Sequence, residues 1–219
     1  MNYLPCVEVE PHNPADAAVI WLHGLGADGH DFEPIVPELR LPDNAAIRFI
    51  FPHAPSIPVT INNGMVMPAW YDILEMSIEK KVDEKQLLAS SQAIDALIDR
   101  EITRGIDSKR IVIAGFSQGG AVGYQTALAY PKPLAGLIAM STYFATSESI
   151  VSSKENKSLP VQIYHGTMDP VVPEVLGKTA YEALKKLDFN VNYQTYPMQH
   201  SVCAEEVHDI SGWIQKILL

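Results

Sequence analysis

A serine, an aspartate and a histidine in the second half of the chain have the order and surroundings that nucleophilic catalysis requires. Ser117 lies in GFSQGG (115–120), between the strand-like run RIVIAGF and the helical pattern AVGYQTALAY. This segment matches G-x-S-x-G, in which the serine occupies a sharp turn from a strand to a helix. Small residues at 115 and 119 allow the turn and lift the hydroxyl clear of the backbone, often with a positive φ at the serine. The amide of Gln118, at the helix start, can then face an anion.

Ser117 needs a general base and an acid that orients the base, because a serine hydroxyl alone is a weak nucleophile. For a serine in this motif the chain order is serine, acid, histidine. Asp169 ends the strand-like run VQIYHGTMD and precedes Pro170, where a turn-forming aspartate is the alternative interpretation. Of the two later histidines, His208 falls within a helical pattern, whereas His200 lies in the loop YPMQHSVCAEE. We therefore predict Ser117 as nucleophile, His200 as base and Asp169 as the orienting acid.

The segment HGLGADG (23–29) follows the apolar run AAVIWL, and its three glycines are spaced G-x-G-x-x-G. Such a turn can bind the pyrophosphate of a dinucleotide, or its amides can bind the oxyanion of an acyl-transfer intermediate. A dinucleotide site also needs an acidic residue about 20 positions further on, at the end of the next strand. The next apolar run ends FIFPHAP without an acid, and Asp43 precedes that run. The oxyanion interpretation is therefore favoured, and we expect His23 to brace the turn.

Apolar runs rich in β-branched residues alternate with amphipathic helical patterns along the chain. The predicted strands are apolar at nearly every position, as in parallel strands that are covered on both faces. This alternation predicts βαβ units, and hence a single α/β domain over residues 1–219 with a mostly parallel central sheet and helices on both faces. The predicted strands are 17–24, 46–55, 110–117, 134–142, 161–169 and 191–197, and the clearest helices are 83–105, 174–187 and 203–219.

Composition and charge narrow the class of protein. The chain has 219 residues and a net charge of −10, so we expect no nucleic-acid partner, which would need a basic surface. An apolar stretch of membrane-spanning length and a basic, apolar leader are both absent from the sequence, so we predict neither a membrane span nor a secretory signal. Two distant cysteines, Cys6 and Cys203, fit free thiols in a reducing cytoplasm. The scattered histidines lack metal-ligand spacing, and we expect no metal and no organic cofactor.

Four ordered motifs resemble those of a known family. HGLGADG, GFSQGGA, HGTMDPVVP and QHSVCAEE are spaced as in the carboxylesterase/acyl-protein thioesterase (phospholipase/carboxylesterase) family of α/β hydrolases, and the run PAWYD is also similar. The resemblance spans nearly the whole chain and implies an α/β-hydrolase fold, with Ser117, Asp169 and His200 as the catalytic residues. It further implies an oxyanion hole made by the main-chain amides of Leu25 and Gln118.

The resemblance implies a serine hydrolase that cleaves carboxylic esters or thioesters of acyl chains through an acyl-enzyme. The family motif differs at one point, where Ala27 precedes Asp28. This form is more similar to bacterial carboxylesterases than to the thioesterases that act on lipidated proteins. Two alternatives stay open: an acyl-protein thioesterase or lysophospholipase acting on lipidated proteins or lysolipids, and a non-catalytic lipid-binding protein of the same fold.

Residues 53–82 form the segment in which we expect the substrate to be selected. The segment has too many proline, glycine and asparagine residues for one helix, yet it carries several large apolar side chains. This composition near strand ends predicts an irregular acyl-binding wall or mobile cover, with core capping as the alternative for each residue. We expect a small acyl ester or lipid-like substrate and a monomer or weak homodimer, and we leave transient contact with a membrane surface open. The predicted substrate-binding residues are Met65, Met67, Trp70 and Leu74.

Overall fold

Nine β-strands lie within residues 3–75 and 81–219, the part of the chain that the computed structural model describes. They are β1 (Cys6–Val9), β2 (Ala17–Leu22), β3 (Ile47–Pro52), β4 (Ser56–Val59), β5 (Met65–Pro68), β6 (Ile111–Phe116), β7 (Gly136–Met140), β8 (Pro160–Gly166) and β9 (Asn190–Tyr196). Seven of them form the central sheet, in the order β1-β3-β2-β6-β7-β8-β9, and β4 and β5 form a separate hairpin. The central sheet is parallel except at its edge, where β1 pairs antiparallel with β3.

All six predicted strands are present, and each ends earlier than predicted because the chain turns away from the sheet at its carboxyl end. The edge strand β1 was not predicted. Its sequence, CVEV, is short, and its residues are half-buried at every position, so it lacks both the continuous apolar run and the strict alternation that indicate a strand. The mostly parallel sheet follows directly from the buried, uniformly apolar strands.

The helices connect the strands and confirm the three clearest helical patterns. The α-helices are α1 (Ile35–Glu38), α2 (Glu84–Thr103), α3 (Gln118–Ala129), α4 (Glu174–Lys186) and α5 (Ala204–Leu218), with 3₁₀ turns at Thr60–Asn62, Ser108–Arg110 and Lys154–Asn156. α2 begins after Asp83, whose carboxylate accepts a hydrogen bond from the amide of Gln86 at 3.0 Å, and it is followed by Gly105 with a φ of +101°. Within the described residues, no helix has the length and apolar character needed to cross a membrane.

Two apolar cores cover the two faces of the sheet. Along β2, Ile20 and Leu22 pack on one face with α2, α3 and α4, whereas Val19 and Trp21 pack on the other face with α1 and α5. Burial on both faces explains why the central strands are apolar at every position. The helices hold the sheet rigidly and leave its carboxyl end to the connecting turns, where the predicted catalytic residues lie.

Residues 53–82 are more regular than predicted. β4 and β5 pair as an antiparallel hairpin within this segment, so the prediction of an irregular segment is wrong for these residues. Pro58 and Pro68 argue against a strand inside a large sheet, but a two-stranded hairpin has only edge strands, which tolerate proline. Residues 76–80 of the segment lie outside the described residues.

Candidate active site

Ser117 occupies the turn between β6 and α3 in a conformation that few residues other than glycine adopt. Its φ is 53° and its ψ is −120°, so the expected positive φ is present. Hydrogen bonds on both sides hold this backbone: the Ser117 amide donates to the carbonyl of Met140 at 2.9 Å, and the Ser117 carbonyl accepts from Oγ1 of Thr142 at 2.6 Å. As a result the hydroxyl projects beyond the carboxyl end of the sheet.

Glycines on either side of Ser117 allow the strand and the helix to approach closely. A Cβ at Gly115 would lie 2.5 Å from the carbonyl oxygen of Gly119, and a Cβ at Gly119 would lie 2.5 Å from the carbonyl oxygen of His23. Both contacts are with backbone atoms, so a side chain fits at neither position unless the backbone moves. The small residues at 115 and 119 are therefore required by the packing of this turn.

Ser117, His200 and Asp169 are far apart in the sequence, but they form one chain of hydrogen bonds. Oγ of Ser117 is 2.9 Å from Nε2 of His200, and Nδ1 of His200 is 2.7 Å from Oδ2 of Asp169. Because a carboxylate only accepts, Nδ1 carries the ring proton and Nε2 is the acceptor for the serine hydroxyl. The ring of Phe116 packs against the imidazole, with ring centroids 4.7 Å apart. This arrangement can withdraw a proton from Ser117 as its oxygen attacks an electrophile.

Asp169 is kept charged by the residues that bond to it. Its side chain has no exposed surface, and Oδ1 accepts hydrogen bonds from the amides of Val171 and Val172, each at 2.8 Å. Burial raises the pKa of Asp169, but the hydrogen bonds from His200 and these two amides outweigh burial and hold the pKa below its usual value. The carboxylate therefore stays negative beside His200 at neutral pH.

Two backbone amides near Ser117 are free to bind an anion. Leu25 and Gln118 line the same cavity as Ser117, and within the described residues neither amide N–H donates a hydrogen bond. Gln118 is the first residue of α3, where helix amides have no partner within the helix and carry the positive end of its dipole. Two such donors beside a nucleophilic hydroxyl can stabilise the negative charge that develops on a carbonyl oxygen during attack.

The cavity at Ser117 has a volume of about 360 Å³, and most of its wall is apolar. Its apolar side chains come from five parts of the chain: the turn after β2, the segment 53–82, the end of β6, the loop after β7, and the loop after Asp169. A wall of this kind suits the hydrocarbon part of an acyl group, with the reacting carbonyl placed at the polar residues. The apolar and aromatic residues of the wall are Leu25, Ile61, Ile73, Phe116, Tyr143, Val171 and Val172.

The four predicted substrate-binding residues, all in the described part of the chain, lie outside the wall of this cavity. Met65 and Leu74 are exposed, and Met67 is half-buried. Trp70 is only 1% exposed and packs in the core, where its indole N–H donates to the carbonyl of His23 at 2.8 Å. Trp70 is therefore a core residue behind the active site and does not line the cavity at Ser117.

Some wall residues had a signal in the sequence and others had none. Tyr143 follows the carboxyl end of β7, and Val171 and Val172 follow that of β8, so the rule that ligands bind beyond the carboxyl ends of parallel strands points to all three. Ile61 and Ile73 come from the expected segment, but no local pattern distinguishes them from its exposed apolar residues. That distinction depends on how the hairpin folds over the sheet.

The other histidines lie outside this chain of hydrogen bonds. His208 is exposed on α5, where the helical pattern predicted it. His165 is buried beside Asp169, and its Nε2 lies 2.8 Å from the carbonyl oxygen of Val172. Both ring nitrogens of His23 are engaged by backbone groups. Among the residues that the structure describes, no group of three or more His, Cys, Asp or Glu is arranged to hold a metal ion.

Comparisons with known proteins agree with this geometry. A family model described as phospholipase/carboxylesterase matches residues 5–218. Acyl-protein thioesterase 1 of Neurospora crassa is 41% identical over 213 residues, which cover 92% of this chain and 87% of that relative. Acyl-protein thioesterase 1 of Cryptococcus neoformans is 35% identical and covers 97% of both chains. The crystal structure of Zea mays acyl-protein thioesterase 2 superposes with a TM-score of 0.87 at 27% identity, covering 99% of this chain and 100% of that chain. The predicted α/β-hydrolase fold is thereby confirmed.

Proposed function

The chain belongs to the phospholipase/carboxylesterase family and is a hydrolase of acyl esters, and on that premise we propose that Ser117, His200 and Asp169 are its catalytic triad. One observation carries the proposal: an unbroken chain of hydrogen bonds runs from Oγ of Ser117 through His200 to a buried carboxylate, in the wall of an apolar cavity. Such a chain activates a hydroxyl for attack on a carbonyl carbon.

In the first half of the reaction, Oγ of Ser117 attacks the carbonyl carbon of the acyl ester while Nε2 of His200 accepts the hydroxyl proton. The imidazolium that forms is stabilised by the charged Asp169 on its other side. His200 then donates the proton to the leaving alcohol or thiol, and the acyl group remains on Ser117. In the second half, water loses a proton to His200 and attacks the acyl-enzyme. His200 then returns the proton to Oγ of Ser117 as the bond to the acyl group breaks, which releases the acid and restores the serine.

The oxyanion of each tetrahedral intermediate is bound by the amides of Leu25 and Gln118. Each donor of this kind contributes roughly 3 kcal/mol of transition-state stabilisation. The positive end of the α3 dipole adds to the attraction at Gln118. The reaction uses the chain's own residues throughout, and we propose that it requires no metal and no organic cofactor.

The substrate is an ester or thioester whose acyl group fits the apolar wall of the cavity. The relatives that match this chain are named acyl-protein thioesterases, which supports an acyl-protein thioesterase or lysophospholipase as the second candidate. A non-catalytic lipid-binding protein of the same fold is the third candidate. The third is disfavoured, because a lipid carrier has no use for a strained serine hydrogen-bonded to an imidazole.

The exposed tip of the β4–β5 hairpin supports transient contact with a membrane surface. Met65 and Val66 are each 63% exposed, an unusual position for two adjacent apolar residues. Cys6 and Cys203 are free thiols, which fits the reducing cytoplasm as the proposed location. We propose a monomer or weak homodimer as the functional state.

A fluorophosphonate probe tests the catalytic assignment directly, since it reacts only with an activated serine. We expect the wild type to be labelled and to hydrolyse p-nitrophenyl butyrate, and Ser117→Ala to do neither. Ser158→Ala is the matched control, because Ser158 is exposed and lies outside the cavity. A folded wild-type protein that is neither labelled nor active would refute the proposal.

The kcat/KM values for matched esters and thioesters with acyl chains of C2 to C16 identify the substrate class. A preference for long-chain thioesters would favour the acyl-protein thioesterase candidate, and a preference for short-chain esters would favour a carboxylesterase. Adding lipid vesicles to a long-chain assay, with Met65→Ser as the comparison, tests the membrane contact. Equal stimulation of both proteins would count against a role for the hairpin tip.

A further inference from the structure

The imidazole of His23 is buried at the end of β2, and its protonation state is fixed by its two partners. The backbone amide of Ala54 lies 3.1 Å from Nε2, and because that amide only donates, Nε2 carries no proton. Nδ1 must then carry the ring proton, and it donates to the carbonyl oxygen of Gly24 at 2.8 Å. Burial lowers the pKa of His23, which agrees with a neutral ring.

The Gly24 carbonyl belongs to the same peptide unit as the amide of Leu25. A trans peptide is planar, so its C=O and its N–H point in opposite directions, and no cis peptide bond is found in the described residues. When Nδ1 of His23 holds the carbonyl, the Leu25 N–H is therefore directed to the opposite side. A flip of this one peptide would place the Gly24 carbonyl oxygen where the Leu25 N–H now points.

This peptide unit lies close to the nucleophile. A Cβ built on Gly24 would be 3.5 Å from Cβ of Ser117, so Gly24 and the serine side chain are neighbours. A flip of this peptide would change ψ of Gly24, where the absence of a Cβ offers little resistance, and φ of Leu25. The Gly24 carbonyl accepts two hydrogen bonds that oppose the flip, from the amide of Ala27 at 3.3 Å and from Nδ1 of His23 at 2.8 Å, and the bond from His23 is the shorter.

We propose that His23 is a positioning residue that aims the Leu25 amide at the oxyanion by holding the Gly24 carbonyl on the opposite side of the peptide. The proposal rests on the proposed function, in which that amide is one of the two oxyanion donors. His23 touches no reacting atom and transfers no proton, since both of its nitrogens are occupied by backbone groups.

Trp70 fixes the imidazole in turn. Its indole N–H donates to the carbonyl of His23 at 2.8 Å, and the two rings are in contact, with centroids 5.1 Å apart. The ring of His23 therefore cannot rotate to release the Gly24 carbonyl without breaking contacts in the core. This accounts for the position of Trp70 behind the active site and away from the cavity wall.

A pair of amide substitutions separates the two hydrogen bonds of His23. The side-chain nitrogen of asparagine reaches the position of Nδ1, so His23→Asn keeps the donor to Gly24. The longer side chain of glutamine reaches the position of Nε2, so His23→Gln keeps an acceptor for Ala54 and loses the donor. We expect H23Q to lower kcat by roughly 10²–10³, the effect of losing one oxyanion donor, with KM changed less than about twofold. We expect H23N to retain kcat within about tenfold of the wild type.

Both variants replace a buried ring, so their melting temperatures must be measured beside kcat. A structural role alone predicts that kcat follows thermal stability and that the smaller asparagine causes the greater loss. Equal kcat values for H23N and H23Q, or a higher value for H23Q, would overturn the proposal. Nitrogen-15 NMR of the wild-type histidines gives a test that needs no variant: a proton on Nδ1 of His23 supports the proposal, and a proton on Nε2 overturns it.

The outcome also distinguishes this proposal from the proposed function. If Ser117 is labelled by the fluorophosphonate and H23Q keeps full kcat, only the role of His23 is wrong. If the folded wild type shows neither labelling nor hydrolysis, the proposed function fails and the role of His23 fails with it.

Discussion

The backbone amide of Trp70 donates a hydrogen bond to Oε1 of Gln118 at 2.9 Å. At the other end of the same side chain, Nε2 of Gln118 donates to the carbonyl of Tyr71 at 2.7 Å. Gln118 thus ties the segment after β5 to the start of α3, while its own backbone amide remains available beside Ser117. The PAWYD run therefore acts as a brace behind the active site, and its tryptophan is buried for that reason.

Removing the side-chain amide of Gln118 should destabilise the protein. In Gln118→Leu, the Trp70 amide and the Tyr71 carbonyl would be buried without partners, at about 1–3 kcal/mol each. We expect the free energy of unfolding, measured by urea denaturation, to fall by about 2–6 kcal/mol. Gln92→Leu is the control, because Gln92 is exposed on α2, and a surface change of this kind costs less than about 0.5 kcal/mol. Equal effects of the two substitutions would show that the brace contributes nothing.

Enlarging the cavity should change the preferred acyl length. Ile73 lines the cavity and is 6% exposed, whereas its neighbour Leu74 is 44% exposed and lies outside the wall. In Ile73→Ala we expect kcat/KM for long-chain esters, relative to short-chain esters, to rise by about tenfold, the discrimination that one or two methylene groups provide. Leu74→Ala should leave the ratio unchanged. If the ratio changed in Leu74→Ala and not in Ile73→Ala, the acyl chain would bind the exposed residues of segment 53–82 and not the cavity wall.

Strands and helices in the core of the fold were predictable because burial dictates their sequences. AAVIWL and IVIAGF are apolar at every position, since residues on both faces of β2 and β6 are covered. β1 and the β4–β5 hairpin were not predictable in this way, because strands at an edge are not covered on both faces and need no continuous apolar run. Their pairing depends on partners distant in sequence.

The G-x-S-x-G motif and the chain order of serine, acid and histidine selected Ser117, Asp169 and His200 as candidates, because activating a serine demands these residue types at strand ends. The part of the cavity wall that comes from residues 53–82 gave no such signal. Met65 and Ile61 are both apolar residues in the same segment, and only the folded hairpin separates the exposed one from the one that lines the cavity. The catalytic candidates can therefore be recognised from short sequence motifs, whereas the residues that line the cavity are determined by tertiary packing.

Replacing Asp169 by asparagine should leave the fold intact and slow the reaction. The carboxylate accepts from Nδ1 of His200 and so holds Nε2 toward Ser117, whereas an amide can favour the wrong ring tautomer. We expect kcat to fall by roughly 10³–10⁴ in Asp169→Asn. The exposed Asp43→Asn provides the control and should keep wild-type kcat. A loss of less than about tenfold in Asp169→Asn would argue against its assignment as the orienting acid.

A methyl group on Gly119 should disrupt the nucleophile turn. In Gly119→Ala the new Cβ would meet the carbonyl oxygens of Leu22 and His23 at 2.6 and 2.5 Å, so the N-terminus of α3 must move away from β2. We expect both the melting temperature and fluorophosphonate labelling to fall. Gly212→Ala is the matched change within α5, where a Cβ meets nothing within 4 Å, and it should stabilise the protein by up to about 1 kcal/mol. Normal labelling of Gly119→Ala would mean that the turn tolerates a side chain there.

Glu206 should make the protein less stable as the pH rises. It is fully buried on α5, and within the described residues neither carboxylate oxygen has a hydrogen-bond partner. Burial, with a further contribution from the charge of Asp209, raises the pKa of Glu206 to about 8 from an ordinary value of 4.5. Between these two pH values the folded protein binds a proton that the unfolded chain has lost, so the free energy of unfolding falls with rising pH, by up to about 1.4 kcal/mol per pH unit.

Glu206→Gln removes this titration, because the side chain is neutral in both the folded and the unfolded states. We expect its free energy of unfolding to match that of the wild type near pH 5 and to exceed it at pH 8. At pH 8 only the wild type must either bury an ionised carboxylate or take up a proton when it folds, and both cost free energy. Urea denaturation from pH 5 to pH 9 measures the difference. Glu205→Gln, the exposed neighbour on the same helix, controls for the change in net charge and should run parallel to the wild type. Glu206 is completely buried without a hydrogen-bond partner in the described residues, so we expect its pKa to differ between the folded and unfolded states. If the free energy of unfolding of Glu206→Gln ran parallel to that of the wild type across this pH range, the pKa would be the same in both states and the prediction would be wrong.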